Sequence, residues 1–225
     1  MFKLPALFVN FKTYETGTGS KAVETAKIIE QTSKGSGITT VLVVQACDIR
    51  LIAQKVKLPV FAQHVDPISY GAYTGHILPE AVKEAGAIGT ILNHAENKKN
   101  DDFLSEAVKR AKQAGLIVMA CAESLERAKK IVTFEVKPDL IAIEPPELIS
   151  GDISVSTARP ELITDVVLQV GKKSGIPIIA GAGIKNTADV KKALELGCQG
   201  IFVASGIMKA KDKKAAVIDL LAGFK

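Results

Sequence analysis

The chain is expected to fold as an α/β protein, a barrel of eight parallel strands with a helix after each. Three observations lead there. Short apolar runs and helically spaced runs alternate eight times along 225 residues. The apolar runs are continuous, as they must be when helices cover one face of a parallel sheet and a barrel interior the other. The unusual polar residues gather where those runs stop, and in parallel α/β proteins sites are built at the carboxyl ends of strands. A doubly wound open sheet is the alternative with the same alternation. No Pro/Ser-rich linker interrupts the pattern, so residues 1–225 are expected to form one (β/α)8 barrel domain, at the short end of the usual range.

The elements follow in order. Residues 4–10, LPALFVN, form the first strand, and 20–34 the first helix, with Val23, Ala26, Ile28 and Ile29 apolar and Ser20 placed to cap it. The β-branched run 39–45, TTVLVVQ, is the second strand, followed by a short helix over 48–55. Strand three is 59–63, and helix 79–85 closes on Gly86. Strand four is 88–93, and helix 101–114 ends at Gly115. Strand five is 116–120, with a helix over 124–136. Strand six is 140–143, with a helix over 160–174. Strand seven is 176–180, with helix 187–196 capped by Gly197. Strand eight is 200–203, and 214–221 is the last helix.

Composition narrows the function classes. With 47% hydrophobic and 24% charged residues the chain can bury a large core. The net charge of +5 comes from basic residues scattered among acids, with no basic stripe and interleaved aromatics, so a nucleic-acid partner is not expected. A mild positive field suits a small anionic substrate. No apolar run reaches the length of a membrane span, and MFKLPALFVNFK lacks a signal-peptide pattern, which points to the cytoplasm. The three cysteines, Cys47, Cys121 and Cys198, are far apart and read as free thiols rather than metal ligands or a disulfide.

One stretch organises the rest: DLIAIEPPELISGD, residues 139–152. A buried strand stops on a carboxylate, Glu144, and two prolines without N–H groups end the ladder. Strand one ends in Asn10-Phe11-Lys12, and strand four in Asn93-His94-Ala95-Glu96. Strands seven and eight run into Gly181-Ala182-Gly183 and Ala204-Ser205-Gly206. A lone Lys past a strand is usually a solvated charge, a lone His usually structural, and tight turns need glycine anyway. Together they carry more weight. Loops after strands seven and eight are the usual phosphate site of such barrels, where backbone N–H groups at a helix start hold the anion.

These residues resemble the triosephosphate isomerase family, in its shortened archaeal form. The motifs are Asn10-Phe11-Lys12-Thr13-Tyr14, Gly71-Ala72-Tyr73-Thr74-Gly75, Asn93-His94-Ala95-Glu96-Asn97, Glu144-Pro145-Pro146-Glu147-Leu148-Ile149, Gly181-Ala182-Gly183-Ile184 and Ala204-Ser205-Gly206. The resemblance implies a TIM barrel that interconverts dihydroxyacetone phosphate and glyceraldehyde 3-phosphate without metal or cofactor. It implies Glu144 as general base, His94 as hydrogen-bond donor to the substrate oxygen and Lys12 as positive charge, with Ala95-Glu96-Asn97 opening a short helix behind His94. Asn10, Ile149, Gly183, Ala204 and Ser205, with Lys12, would bind substrate. The loop over 145–155 would be a lid. The loop over 66–78 would insert into a neighbouring subunit, making a homodimer or homotetramer.

The sequence departs from the family in places. Ala95 stands where Ser is usual, Ser150-Gly151-Asp152 where a Gly-Thr-Gly-like turn is usual, and His76 where many relatives carry Glu. Asp152 is expected to point away from a bound phosphate, His76 to serve the loop or an interface, and His64 to be structural. Two other readings stay open at this stage: another phosphate-binding barrel, such as an aldolase with Lys12 as Schiff-base nucleophile, and a non-catalytic phosphate-metabolite binding barrel.

Overall fold

A computed structural model describes residues 3–148 and 154–225. Its eight strands are all parallel and close in sequence order, the first pairing with the last. β1 (Ala6–Asn10) leads to α1 (Gly19–Ser33), β2 (Thr39–Val44) to α2 (Ile49–Ala53), and β3 (Val60–Ala62) to α3 (Pro79–Glu84). β4 (Gly89–Leu92) leads to α4 (Asp101–Gln113), and β5 (Ile117–Ala122) to α5 (Leu125–Ile131). After β6 (Leu140–Ile143) come α6 (Val155–Ala158), α7 (Pro160–Val166) and α8 (Lys172–Ser174). β7 (Ile178–Gly181) leads to α9 (Thr187–Glu195), and β8 (Gly200–Val203) to α10 (Ser205–Met208) and α11 (Lys213–Ala222).

Alternation along each strand builds two cores. On β1, Ala6 and Phe8 point into the barrel, where they meet Phe61, Met119, Leu140 and Phe202. Leu7 and Val9 point outward into the layer beneath the helices, with Ala22, Ala26 and Ile29 of α1. Both faces of the strand are therefore apolar, which is why its sequence shows no polar alternation. The helices are amphipathic in the complementary sense: α4 buries Leu104, Ala107, Val108 and Ala111 at helical spacing. Asn100 opens that helix by accepting from the Phe103 N–H at 2.9 Å.

Several boundaries differ from the sequence expectation, and the helix expected over 124–136 ends at Ile131. Ser20 does not cap α1; the N-cap is Thr18, and its side chain makes no capping bond. The helix expected over 160–174 is interrupted by a π-turn over Val167–Gly171, where Gly171 packs so close to Ile178 that a Cβ would lie 2.9 Å from it. β7 begins at Ile178 rather than Ile176, because Pro177 has no N–H for the ladder; its carbonyl still accepts from Ile141 N at 3.1 Å. β5 runs on to Ala122, so its end stands level with the end of β6.

Candidate active site

Glu144 is the residue after β6. Its N–H donates to Ala122 O at 2.8 Å, one further rung of the ladder, before Pro145 and Pro146 end it. That rung fixes the backbone, so the carboxyl group is held at the barrel mouth with only 4% of the residue exposed. Its Oε2 is buried without a hydrogen-bond partner among the described residues. An unpartnered buried carboxylate oxygen is costly. The side chain lies across Gly181 at the end of β7, where a Cβ would fall 2.5 Å from Glu144 Cγ. On the β5 side lies Cys121, whose thiol pKa is pushed well above its usual value, by burial first and by the Glu144 charge second.

His94 lies two residues past β4. It is the N-cap of a 3-10 turn over Ala95–Asn97, and its Nδ1 accepts the Glu96 N–H at 3.1 Å. An acceptor Nδ1 carries no proton, so the hydrogen-bond geometry assigns a neutral ring with its proton on Nε2. That Nε2 stands 3.6 Å from Glu144 Oε1, too far for a hydrogen bond and close enough for both to reach one small molecule. Phe202 of β8 meets the His94 ring edge-on at 6.1 Å.

Lys12 completes the group. Its Nζ meets Glu96 Oε1 at 2.6 Å, and its side chain is only 9% exposed. The backbone at Lys12 is left-handed, with φ of 46°. Two neighbours hold it there: Lys12 N–H donates to Asn10 Oδ1 at 2.9 Å, and Gln63 Nε2 donates to Lys12 O at 2.9 Å and to Asn10 Oδ1 at 3.3 Å. Among the described residues three that are not glycine have positive φ, Lys12, Asn93 and Ala182. All three stand at this mouth, each at a cost of about 1–3 kcal/mol that the surrounding fold must offset.

The predicted residues converge. Asn10, Lys12, His94, Glu144, Gly183, Ala204 and Ser205 line one cleft. Ser205 opens α10, whose first N–H groups have no partner within the helix. Ile149 and the centre of the expected lid, Asp152 included, lie outside the described residues; the lid's far end is anchored where Val155 N donates to Ala182 O at 3.1 Å. Among the described residues no group of three or more His, Cys, Asp or Glu side chains could hold a metal ion.

A second hollow adjoins the cleft, lined by Lys12, Cys47, Gln63, His64, His94 and Glu96 among others. His64 is structural there: its Nε2 meets Asp66 Oδ1 at 3.2 Å and its ring stacks on Phe103 at 5.9 Å. His76 is exposed on the loop, edge-on to Tyr73 at 6.0 Å.

A sequence profile described as triosephosphate isomerase matches residues 5–222. The chain belongs to the triosephosphate isomerase family. A triosephosphate isomerase of Saccharolobus solfataricus is 46% identical over 220 residues, which cover 97% of this chain and 96% of that protein. One from Methanosarcina acetivorans is 42% identical over 218 residues, covering 96% and 97%. A solved triosephosphate isomerase from Bartonella henselae shares the fold, with a TM-score of 0.73 over 97% of this chain and 96% of that one, at 19% identity. As a triosephosphate isomerase the chain is an aldose–ketose isomerase, an intramolecular oxidoreductase.

Sequence reasoning missed three supporting residues of this isomerase site. Glu96 was legible only as part of a motif; its grip on Lys12 spans 84 positions. Gln63 carries no local signal for its two bonds across the strand ends. Gly181 looked like a turn glycine, whereas it is the space that Glu144 occupies.

Proposed function

We propose that this triosephosphate isomerase interconverts dihydroxyacetone phosphate and glyceraldehyde 3-phosphate with Glu144 as base, His94 as electrophile and Lys12 as counter-charge. The observation that supports it best is the placement of the Glu144 carboxylate and the His94 Nε2–H 3.6 Å apart in one cleft with the Lys12 side chain. A C–H beside a carbonyl is too weak an acid for a carboxylate alone. Glu144 removes that proton while the neighbouring oxygen gains negative charge. His94 Nε2–H donates to that oxygen and Lys12 lends positive charge, so the enediolate forms in a site already polarised for it. His94 Nε2 relays the hydroxyl proton from one substrate oxygen to the other, and return of the carbon proton from Glu144 to the adjacent carbon completes the exchange. A neutral imidazole in this role is a device for which this family is itself the standing example.

Asn10 orients the substrate and fixes Lys12, while Gly183, Ala204 and Ser205 hold the phosphate and Ile149 meets it from the lid. No metal or cofactor takes part. The aldolase reading fits less well, since an ammonium held by Glu96 is not the free amine that Schiff-base chemistry needs. Nothing in the comparisons favours a silent binding barrel. A coupled assay on glyceraldehyde 3-phosphate tests the assignment with Glu144→Gln. Wild-type turnover should fall by roughly 10²–10⁴-fold in the variant. Turnover unchanged in a folded variant removes Glu144 from the mechanism.

The same reading includes self-association of one-domain barrels. The loop over 66–78 is braced at its base: Asp66 N donates to Ile77 O at 2.9 Å and Ile77 N to Asp66 Oδ2 at 2.6 Å. Arg110 Nε on α4 adds a bond to Ile68 O at 2.9 Å. Yet its tip exposes Tyr70 at 76% and Tyr73 at 45%. A braced loop with bare aromatic tips suits insertion into the hollow beside Lys12 and His94 of a second copy, in a homodimer or homotetramer. Light scattering should give at least twice 23.8 kDa for wild type and the monomer mass for Tyr70→Asp/Tyr73→Asp; a monomeric wild type rejects the idea. Three free thiols and no membrane-spanning helix among the described residues agree with a cytoplasmic location.

A further inference from the structure

Asn93 touches no part of the cleft, yet it is 3% exposed, left-handed at φ 61° and directly precedes His94. Both ends of its side-chain amide are used. Nδ2 donates to Cys121 O on β5 at 2.9 Å, and Oδ1 accepts the Lys99 N–H at 2.8 Å. One side chain thus closes the segment 94–98 on itself and ties it to the strand whose Cys121 abuts Glu144. That segment holds both His94 and Glu96, the partner of Lys12. We infer that Asn93 is a positioning residue of the isomerase site, fixing the aim of His94 Nε2 toward Glu144 by its left-handed backbone and its two-ended amide bridge.

The residue type fits the task. Among side chains with Cβ, Asn tolerates the left-handed region best, and its amide supplies one donor and one acceptor. Asp accepts from Lys99 N–H but sets an oxygen against Cys121 O. Gly allows the backbone at no steric cost but leaves Cys121 O and Lys99 N–H without their partner. Ala loses the bridge and keeps the steric cost.

This inference rests on His94 being the electrophile, and four variants separate the two. Asn93→Gly and Asn93→Asp should lower kcat roughly tenfold, the scale of one to two lost buried hydrogen bonds, with KM within about twofold. Asn93→Ala should lose more. Nitrogen NMR of the His94 ring should show a single Nε2–H tautomer in wild type and altered ring shifts in each variant. If Asn93→Gly retains wild-type kcat and His94 shifts, or loses only melting temperature, Asn93 is structural and the inference falls. If His94→Gln retains wild-type turnover, the reading of His94 itself falls. Collapse in His94→Gln with no change in Asn93→Gly overturns the positioning role alone.

Discussion

Gly181→Ala adds one methyl group where the structure has least room for it. The backbone at Gly181 is strand, so Ala is conformationally acceptable and only contact matters. The new Cβ would stand 2.5 Å from Glu144 Cγ, 3.0 Å from Cδ and 2.9 Å from Oε1. Carbon pairs rest at about 3.5–4.0 Å, so the carboxylate arm must retreat by roughly 1 Å. It cannot take its backbone along, because Glu144 N is tied to Ala122 O. The retreat therefore appears at the carboxylate, next to His94. A misplacement of about 1 Å at a reacting group costs on the order of 10²-fold, equivalent to roughly 3 kcal/mol. Overpacking destabilises by about 1–3 kcal/mol, a few degrees in melting temperature for a chain of this size. Steady-state kinetics beside thermal unfolding separates the two effects. We expect kcat to fall by roughly two orders of magnitude while the protein stays folded at 25 °C. A folded variant with kcat within about threefold of wild type would refute the idea that Gly181 sets the position of the base.

Two further predictions concern groups outside the chemistry. Thiol labelling near pH 8 of the monomeric Tyr70→Asp/Tyr73→Asp variant should modify the exposed Cys47 quickly, while burial keeps Cys121 and Cys198 protonated, Cys198 being pushed up to about 12. All three should react in denaturant, and rapid native labelling of more than one thiol contradicts the packing. Acid should weaken the fold through His64. Burial lowers its pKa, Lys99 lowers it further, and Asp66 only partly restores it, so the unfolded chain binds the proton more readily. Stability is therefore full above the ordinary histidine value near 6.5 and declines as pH falls below it. Asp66 follows at lower pH. Its burial raises the pKa, but the Ile77 N–H and His64 together bring it below the ordinary value, so its contribution is lost as acid protonates it. The drop in melting temperature from pH 7.5 to 5.5 should shrink in His64→Asn; an unchanged drop removes His64 as its source.

Most of the barrel was legible in the chain because its strands are apolar on both faces and its helices on one. The periods differ, and the alternation could be counted. Glu144 was legible too, since an acid followed by two prolines breaks a buried strand in the linear text. Boundaries were less so. The π-turn over Val167–Gly171 carries Gly171 as its one weak helix former, and the close packing of Gly171 on Ile178 is a tertiary contact that spacing along the chain does not show. The cap at Ser20 failed because the chain enters α1 one residue earlier, at Gly19, whose N–H is taken by Asp48 Oδ2 at 3.1 Å from the next unit. Gln63, Glu96 and Gly181 escaped for one reason: each acts on a residue of another strand end. Closing the sheet sets those distances, and no spacing along the chain encodes them.

The seam between β1 and β8 has a consequence for biosynthesis. Ala6 pairs with Gly200 and Val9 with Val203, so the first and last strands of the barrel meet at the site they share. Asn10 and Lys12 are made before Glu144, and Ser205 after it. A chain grown as far as Glu144 carries the base and the imidazole while β7 and β8, which complete the wall that faces them, are still to come. Joining the seam late costs little extra, since loop-closure entropy grows only with the logarithm of loop length. Closure of the cleft therefore waits on β8, and fragments ending before it carry Lys12, His94 and Glu144 without the completed cleft.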